Sequence, residues 1–352
     1  MTSYERFKRM YEHREADRVP IMDSPWSSTI ERWHREGLPE GADYCDFFDL
    51  DKTAGMNCDN SPRYEAKVLE DNDETQVVTT SWGATLRNYK HHGSVPQFLD
   101  FKIKDFESWL DAKKRMEFDD SRIPWEYFKK EYPKWRAEGR WISAGLWFGF
   151  DVTHSWAVGT ERLLIAMIED PDWILDMYDT FLNLNLKMLD KMWDAGYHFD
   201  EISWPNDMGY KNNQFFSLNT YRKMDKPFQK KAVDWAHNHG IYARMHSCGD
   251  IRPFVPELVE MGMDGLNPLE VKAGMDPILL KKQYGDKLVL HGGINAVKWD
   301  KPDEITEEIR RVVPVLKENG GYIFASDHSI PESVSFSDFT HIIEEVKIAG
   351  KY

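Results

Sequence analysis

His246 and Cys248 stand two residues apart in the run His246-Ser247-Cys248-Gly249-Asp250. Residues 241–246 (IYARMH) read as a short strand, so the pair sits where that strand runs into its following loop. Side chains two apart on an extended segment point the same way. An imidazole nitrogen and a thiolate sulfur aimed together make half of a zinc site. Glu270 closes the next such unit, NPLE (267–270), and His328 closes a later one, YIFASDH (322–328). Asp327 is the alternative to His328, because the strand has ended there and alternation no longer separates the two. Each such residue alone is more readily a loop hydrogen-bonding group or a packed side chain. Gathered at the ends of three separate strands, they point to one metal ion, with His246, Cys248, Glu270 and His328 as its ligands.

Those donors need strands to carry them. A helix is expected at about 3–13, capped by Thr2 or Ser3, followed by a strand at 18–23 (RVPIMD). Residues 24–140 are less regular; within them the alternating run 75–89 (TQVVTTSWGATLRNY) reads as a hairpin or extended pair. From 141 the rhythm is regular. Strands are expected at 141–148, 199–204, 241–246, 263–267, 287–292 and 321–326. Between them run helices from Thr160, from Pro171 to Ala195, from Ser217 to Gly240, over 253–261, from Pro277, from Pro302, and over 337–348. Pro227 should bend the helix that contains it. Strands alternating with helices imply parallel pairing with crossovers. Six strands after 141, with one or two before, give about eight. The expected fold is therefore α/β, a TIM (β/α)8 barrel with an elaborated N-terminal region, as a single domain over residues 1–352. A doubly wound sheet is the rival, but no glycine-rich phosphate loop follows any strand.

The 352 residues are 41% hydrophobic and 30% charged, with a net charge of -15. That charge argues against nucleic acid and anionic membranes as partners. Three cysteines, Cys45, Cys58 and Cys248, are too few for a disulfide framework, which favours a reducing cytoplasmic setting. Residues 1–20 carry charges throughout and show no signal-peptide core, and no run of 18 apolar residues occurs.

Other residues carry smaller expectations. Asp207, in WPNDMGY (204–210), follows a strand and can act as acid or base beside a metal. His291 precedes Gly292-Gly293, a tight loop that lets a ligand approach the backbone; it is a second candidate for a catalytic role, with a supporting role as the alternative. Trp147, Phe148, Phe150, Trp156 and Trp204 can wall a pocket for a ring or simply pack the rim. Cys45 and Cys58 read as ordinary thiols, and His91 and His92 as loop residues with no assigned chemistry.

Three runs carry a resemblance: 246–270 (HSCGDIRPFVPELVEMGMDGLNPLE), 288–295 (LVLHGGIN) and 320–335 (GGYIFASDHSIPESVS), with 5–21 (ERFKRMYEHREADRVPI) beside them. The chain resembles the uroporphyrinogen decarboxylase superfamily, which includes the cobalamin-dependent methyltransferases. The resemblance implies a TIM barrel. True decarboxylases of this group carry an arginine pair after the first strand, in the form RQAGR, for substrate carboxylates. Here the matching segment is 23–37 (DSPWSSTIERWHREG), and the pair is missing. The methyltransferase branch carries H-x-C at a strand end, as His246 and Cys248 do. The related cobalamin-independent methionine synthases place a glutamate 22 residues after the cysteine, as Glu270 stands after Cys248. Both groups end on a cysteine late in the barrel; this chain has none after 248, and His328 stands in that region.

The resemblance thus implies a zinc-dependent methyltransferase. The expected partners are a small-molecule methyl donor and a corrinoid protein that exchanges the methyl group. With one thiolate and one carboxylate the site stays near neutral, which suits a Lewis acid that polarises an ether oxygen. An O-methyl donor, such as a methoxyaromatic compound, follows as the expected substrate. A decarboxylase of the same superfamily and a thiol methyltransferase are the alternatives.

Overall fold

Alternating strand and helix produce a ring of parallel strands in the computed structural model, which describes residues 1–91 and 95–352. His92 lies outside the described residues. Seven strands pair in parallel in the order Thr53–Met56, Trp141–Gly145, Glu201–Pro205, Tyr242–His246, Gly265–Asn267, Val289–His291 and Tyr322–Ile323. The segment 18–22 spans the gap between the two edges. On one side Asp51 N donates to Ile21 O at 2.9 Å; on the other Met22 N donates to Phe324 O at 3.0 Å and Phe324 N to Pro20 O at 2.9 Å. Eight parallel segments therefore close the barrel, as the sequence rhythm predicts.

Helix Ser3–Tyr11 plugs the end of the barrel where strands begin. Its capping box at Thr2 and Glu5 starts it cleanly. Tyr11 stacks on Trp141 and Tyr242, with centroids 5.3 and 4.5 Å apart. Inside the barrel Tyr11 Oη donates to Glu201 Oε2 at 2.5 Å, and Arg244 Nη2 donates to Glu201 Oε1 at 2.8 Å. Both oxygens of the buried Glu201 carboxylate are thus hydrogen-bonded, the condition under which a charge survives in a core. Arg244 precedes His246 by two residues, so the ion pair fixes the strand that carries the candidate ligands.

Two expectations change in detail. The helix foreseen from Ser217 to Gly240 is two helices, Leu218–Met224 and Lys226–Asn238. Pro227 lacks the N–H that would continue the ladder, and the chain breaks just before it at Asp225. The hairpin foreseen at 75–89 exists, as Thr75–Thr79 paired with Ala84–Tyr89, but it is the centre of a four-stranded antiparallel sheet completed by Lys67–Asp71 and Gln97–Phe101. No described helix is long and apolar enough to cross a membrane.

Candidate metal centre at the barrel mouth

Register decides which side chains meet. His246 pairs with Pro205 on one neighbour and Asn267 on the other, so all three sit level at the strand ends. His246 Nδ1 lies 2.6 Å from Asn267 Oδ1, while Asn267 Nδ2 donates to the carbonyl of His291 at 3.3 Å. The second bond fixes the orientation of the amide. Nδ1 must then carry the proton, and Nε2 is left as a donor lone pair. That Nε2 is 3.3 Å from Cys248 Sγ and 3.7 Å from Asp207 Oδ1. Asp207, His246 and Cys248 offer three donor atoms within 4.8 Å of one another.

The loops that present this group are locked. Cys248 N donates to Asp207 Oδ1 at 2.7 Å, and Gly249 N donates to Glu270 Oε2 at 2.6 Å. Gly249 has φ +81, and an added Cβ would lie 2.2 Å from the carbonyl carbon of Gly209. Only glycine lets the 248–250 turn press on the 209–210 loop beside Asp207.

Charge accumulates around the sulfur. Burial pushes the Cys248 thiol well above its ordinary range, and the carboxylates of Asp207, Glu270 and Asp151 push the same way. The Asp207 carboxyl is pushed up by burial, helped by Asp151 and opposed by His246. His291 is driven well below the usual imidazole range by burial, then by Arg244 and His246. Its ring is therefore neutral, and its buried Nδ1 has no hydrogen-bond partner among the described residues.

Of the residues singled out in the sequence, Asp207, foreseen as an acid or base beside a metal, lies with His246 and Cys248 in the group of possible donor atoms. Glu270 and His328 are outside the group. Glu270 spends Oε2 on Gly249 N and has Oε1 3.3 Å from Lys272 Nζ. His328 is exposed and forms a wall. Asp327 is likewise outside the group; its two oxygens accept from Ala296 N and Val271 N at 2.7 and 2.8 Å. A cavity of about 280 Å³ lies beside the group, lined by His246, Cys248, Asn267, His291, Asp23 and His328 among others. The five aromatics proposed as its wall do not line it. Phe148, Phe150 and Trp204 are buried in the core, and Trp147 stacks on Trp82 at 6.0 Å, joining the antiparallel sheet to the barrel.

Two residues near the group escaped the sequence reading. His154 Nε2 lies 3.3 Å from Asp151 Oδ1, and its Nδ1 is 3.0 Å from Thr160 Oγ1. They sit where helix Gly149–Val152 passes into a π-helical turn, Thr153–Ala157, a distortion often kept where side chains must be re-aimed. Their spacing of three residues on a helix was the available signal.

Asp225 steadies the Asp207 loop from behind. Its Oδ2 accepts from Asn206 Nδ2 at 2.7 Å and from Gln229 Nε2 at 2.6 Å. Burial pushes its pKa up to about 6, against 3.8 for an ordinary aspartate. Between those values the folded chain holds a proton that the unfolded chain has released, so this group's contribution to stability falls as pH rises from about 4 through 6. The full effect is on the order of 3 kcal/mol. Asp225→Asn is expected to lose less melting temperature than the parent between pH 4.5 and 7; equal losses would refute it.

A profile of the family described as uroporphyrinogen decarboxylase (URO-D) matches residues 153–348, more than half of the chain. No curated protein matches the sequence. Among solved structures, a methyltransferase from Methanosarcina mazei superposes with a TM-score of 0.64 at 14% identity, covering 99% of each chain. A xylose isomerase-like TIM barrel protein from Mycobacterium smegmatis, in complex with magnesium, gives 0.32 at 11% identity over 70% of this chain and 91% of its own, too distant to inform the site. The superposition agrees with the ring of parallel strands as a fold, and the profile covers more than half of the sequence: the chain belongs to the uroporphyrinogen decarboxylase family.

Proposed function

We propose that the chain is a methyltransferase that binds zinc through Asp207, His246 and Cys248 and moves a methyl group between a small O-methyl compound and a corrinoid carried by a partner protein. The observation that carries the reading is the donor group itself: imidazole nitrogen, thiol sulfur and carboxylate oxygen within 4.8 Å at the mouth of the barrel. That set is zinc's, and three protein ligands leave a position for substrate. The acidic surroundings of Cys248 favour a dication there. The metal, when bound, supplies Lewis-acid stabilisation of negative charge developing on the donor oxygen. A reduced corrinoid on the partner would supply the nucleophile for the methyl group; the methyl–oxygen electron pair would stay on oxygen, to be protonated from solvent. Around that event Asn267 holds the His246 ring, Glu270 holds the 248–250 turn, and His291 presents a neutral imidazole to the same cavity.

The decarboxylase alternative needs cations for a substrate with many carboxylates. Among the described residues of the cavity wall Arg244 is the one arginine or lysine, and it is committed to Glu201. The test is to incubate the zinc-loaded protein with cob(I)alamin and a panel of methoxyarenes, methylamines and methyl thioethers, following methylcobalamin by absorbance. Turnover of ethers is expected. Turnover confined to thioethers or amines would reject the ether donor and leave the transferase class standing. Coproporphyrinogen formed from uroporphyrinogen, with no methyl transfer, would overturn the reading.

A further inference from the structure

Asp23 is the one carboxylate among the described residues that line the 280 Å³ cavity, and methyl transfer as described gives it no task. It follows the segment 18–22, the first of the eight in the ring, whereas His246 ends the fifth, Tyr242–His246. The first and fifth of eight strands stand across a barrel from each other. A ligand filling the cavity therefore has His246 and Cys248 on one side and the Asp23 carboxylate on the other.

That carboxylate lacks a counter-charge. Its hydrogen-bond donors are all neutral: Ser24 N and Ser326 Oγ reach Oδ1 at 2.8 and 2.9 Å, and Ser326 N reaches Oδ2 at 2.7 Å. Arg244, the one arginine or lysine of this wall, is committed to Glu201. In the hollow that Asp23 borders on its other side, Lys52 is paired with Asp46 and Arg140 with Glu138. Burial pushes the Asp23 pKa up to about 6, and Asp327 adds to the push. The group is still ionised at neutral pH, and an enclosed anion of this kind is stabilised by any cation that reaches it. Oδ1 already accepts twice, but Oδ2 accepts once and keeps a lone pair for a further donor. Asp23 is only partly buried where it lines the cavity, so a ligand has access to it.

We propose that Asp23 is the counter-ion for an ammonium group on the methyl donor, which makes the substrate a small O-methyl ether with a protonated amine at its far end. The inference rests on the methyl-transfer reading and names its substrate class. An ammonium supplies the missing charge and the missing hydrogen bond together. A donor ending in a carboxylate would meet like charge on that side. The cavity is just under the usual range of about 300–1,000 Å³ for ligand sites, so the body between the two ends is short.

The probes are 3-methoxypropylamine and 4-methoxybenzylamine, each beside its neutral isostere, 1-methoxybutane or 4-ethylanisole, with 4-methoxyphenylacetate as the anion. In calorimetric titration of the zinc-loaded protein, at least one amine should bind about tenfold tighter, or more, than its isostere and the acetate. This comparison needs no variant. Asp23→Asn should erase the preference while bound zinc and binding of the neutral ether stay as in the parent. Neutral ethers or the acetate binding as tightly as the amines would overturn the assignment, as would an amine preference that survives Asp23→Asn. A second zinc per chain that disappears in Asp23→Asn would give the carboxylate to a metal and overturn it too. An Asp23-dependent amine preference without methyl transfer from any of the ethers would support the ion site and count against the transferase reading. Methyl transfer to cob(I)alamin at equal kcat/KM from amines and neutral ethers would count against the ion site alone.

Discussion

Replacing Cys248 with serine is expected to cut bound zinc from about one per chain to a small fraction of that, and to abolish methyl transfer with it. A serine hydroxyl keeps its proton at neutral pH, so the site loses its soft anionic donor, and the two remaining donors do not make a tight site. His246→Ala should do the same. The informative contrast lies between two carboxylates. Asp207→Ala removes an oxygen that lies 3.7 Å from His246 Nε2, and should cost most of the metal. Glu270→Gln keeps an acceptor for Gly249 N, and should retain the metal. Asn267→Ala frees the His246 ring and should weaken binding about 10–100-fold without emptying the site. Elemental analysis and competitive chelator titration read all five. Full zinc occupancy in Cys248→Ser would end the assignment; loss in Glu270→Gln with retention in Asp207→Ala would restore Glu270 as a ligand.

Gly249→Ala should be among the most damaging single-methyl additions in the chain. The left-handed conformation at φ +81 costs an alanine about 1–2 kcal/mol. The added carbon would also fall 2.4 Å from Gly209 O and 2.4 Å from Tyr210 N, where backbone must shift. A total loss of at least ~2 kcal/mol is expected, visible as a fall in denaturation midpoint. The damage should be local as well as global, because the displaced 209–210 loop follows Asp207. Zinc affinity should therefore fall in whatever fraction remains folded. Parental stability together with parental zinc affinity would show that the close approach of the two loops is not needed.

The barrel was legible because its strands after residue 141 end where polar residues cluster and most of the helix starts carry a proline or a capping residue. Thr53–Met56 was not legible: TAGM is four residues with no periodicity, and its role is set by its neighbours Ile21 and Trp141. The closeness of His246 and Cys248 followed from alternation on one strand. That Asp207, and not Glu270 or His328, lies beside them did not, because all three follow strand ends, and only register tells which of them leans toward His246. Glu270 is drawn off by the Gly249 amide, a contact made by backbone folding that no spacing rule encodes. The aromatic wall failed for a related reason. Trp147, Phe148, Phe150 and Trp204 fill space between barrel, helices and antiparallel sheet, whereas Trp26, which reaches the mouth, is an isolated residue in an irregular stretch.

The segment 18–22 that seals the ring has a consequence for synthesis. One of its neighbours, near Asp51, leaves the ribosome soon after it; the other, Phe324, is about 300 residues further along. At about 5–20 residues per second the seam stays open for roughly a quarter of a minute to a minute. Through that time the nascent chain carries an unzipped sheet with pairing groups exposed along it, which invites joining to a neighbouring chain. Val19 N also bonds Gly350 O, so the first strand and the last helix fasten the same seam. Shortening the chain at its far end would therefore be felt at its beginning, and a nascent-chain chaperone would have most to do in the interval before residue 324 arrives.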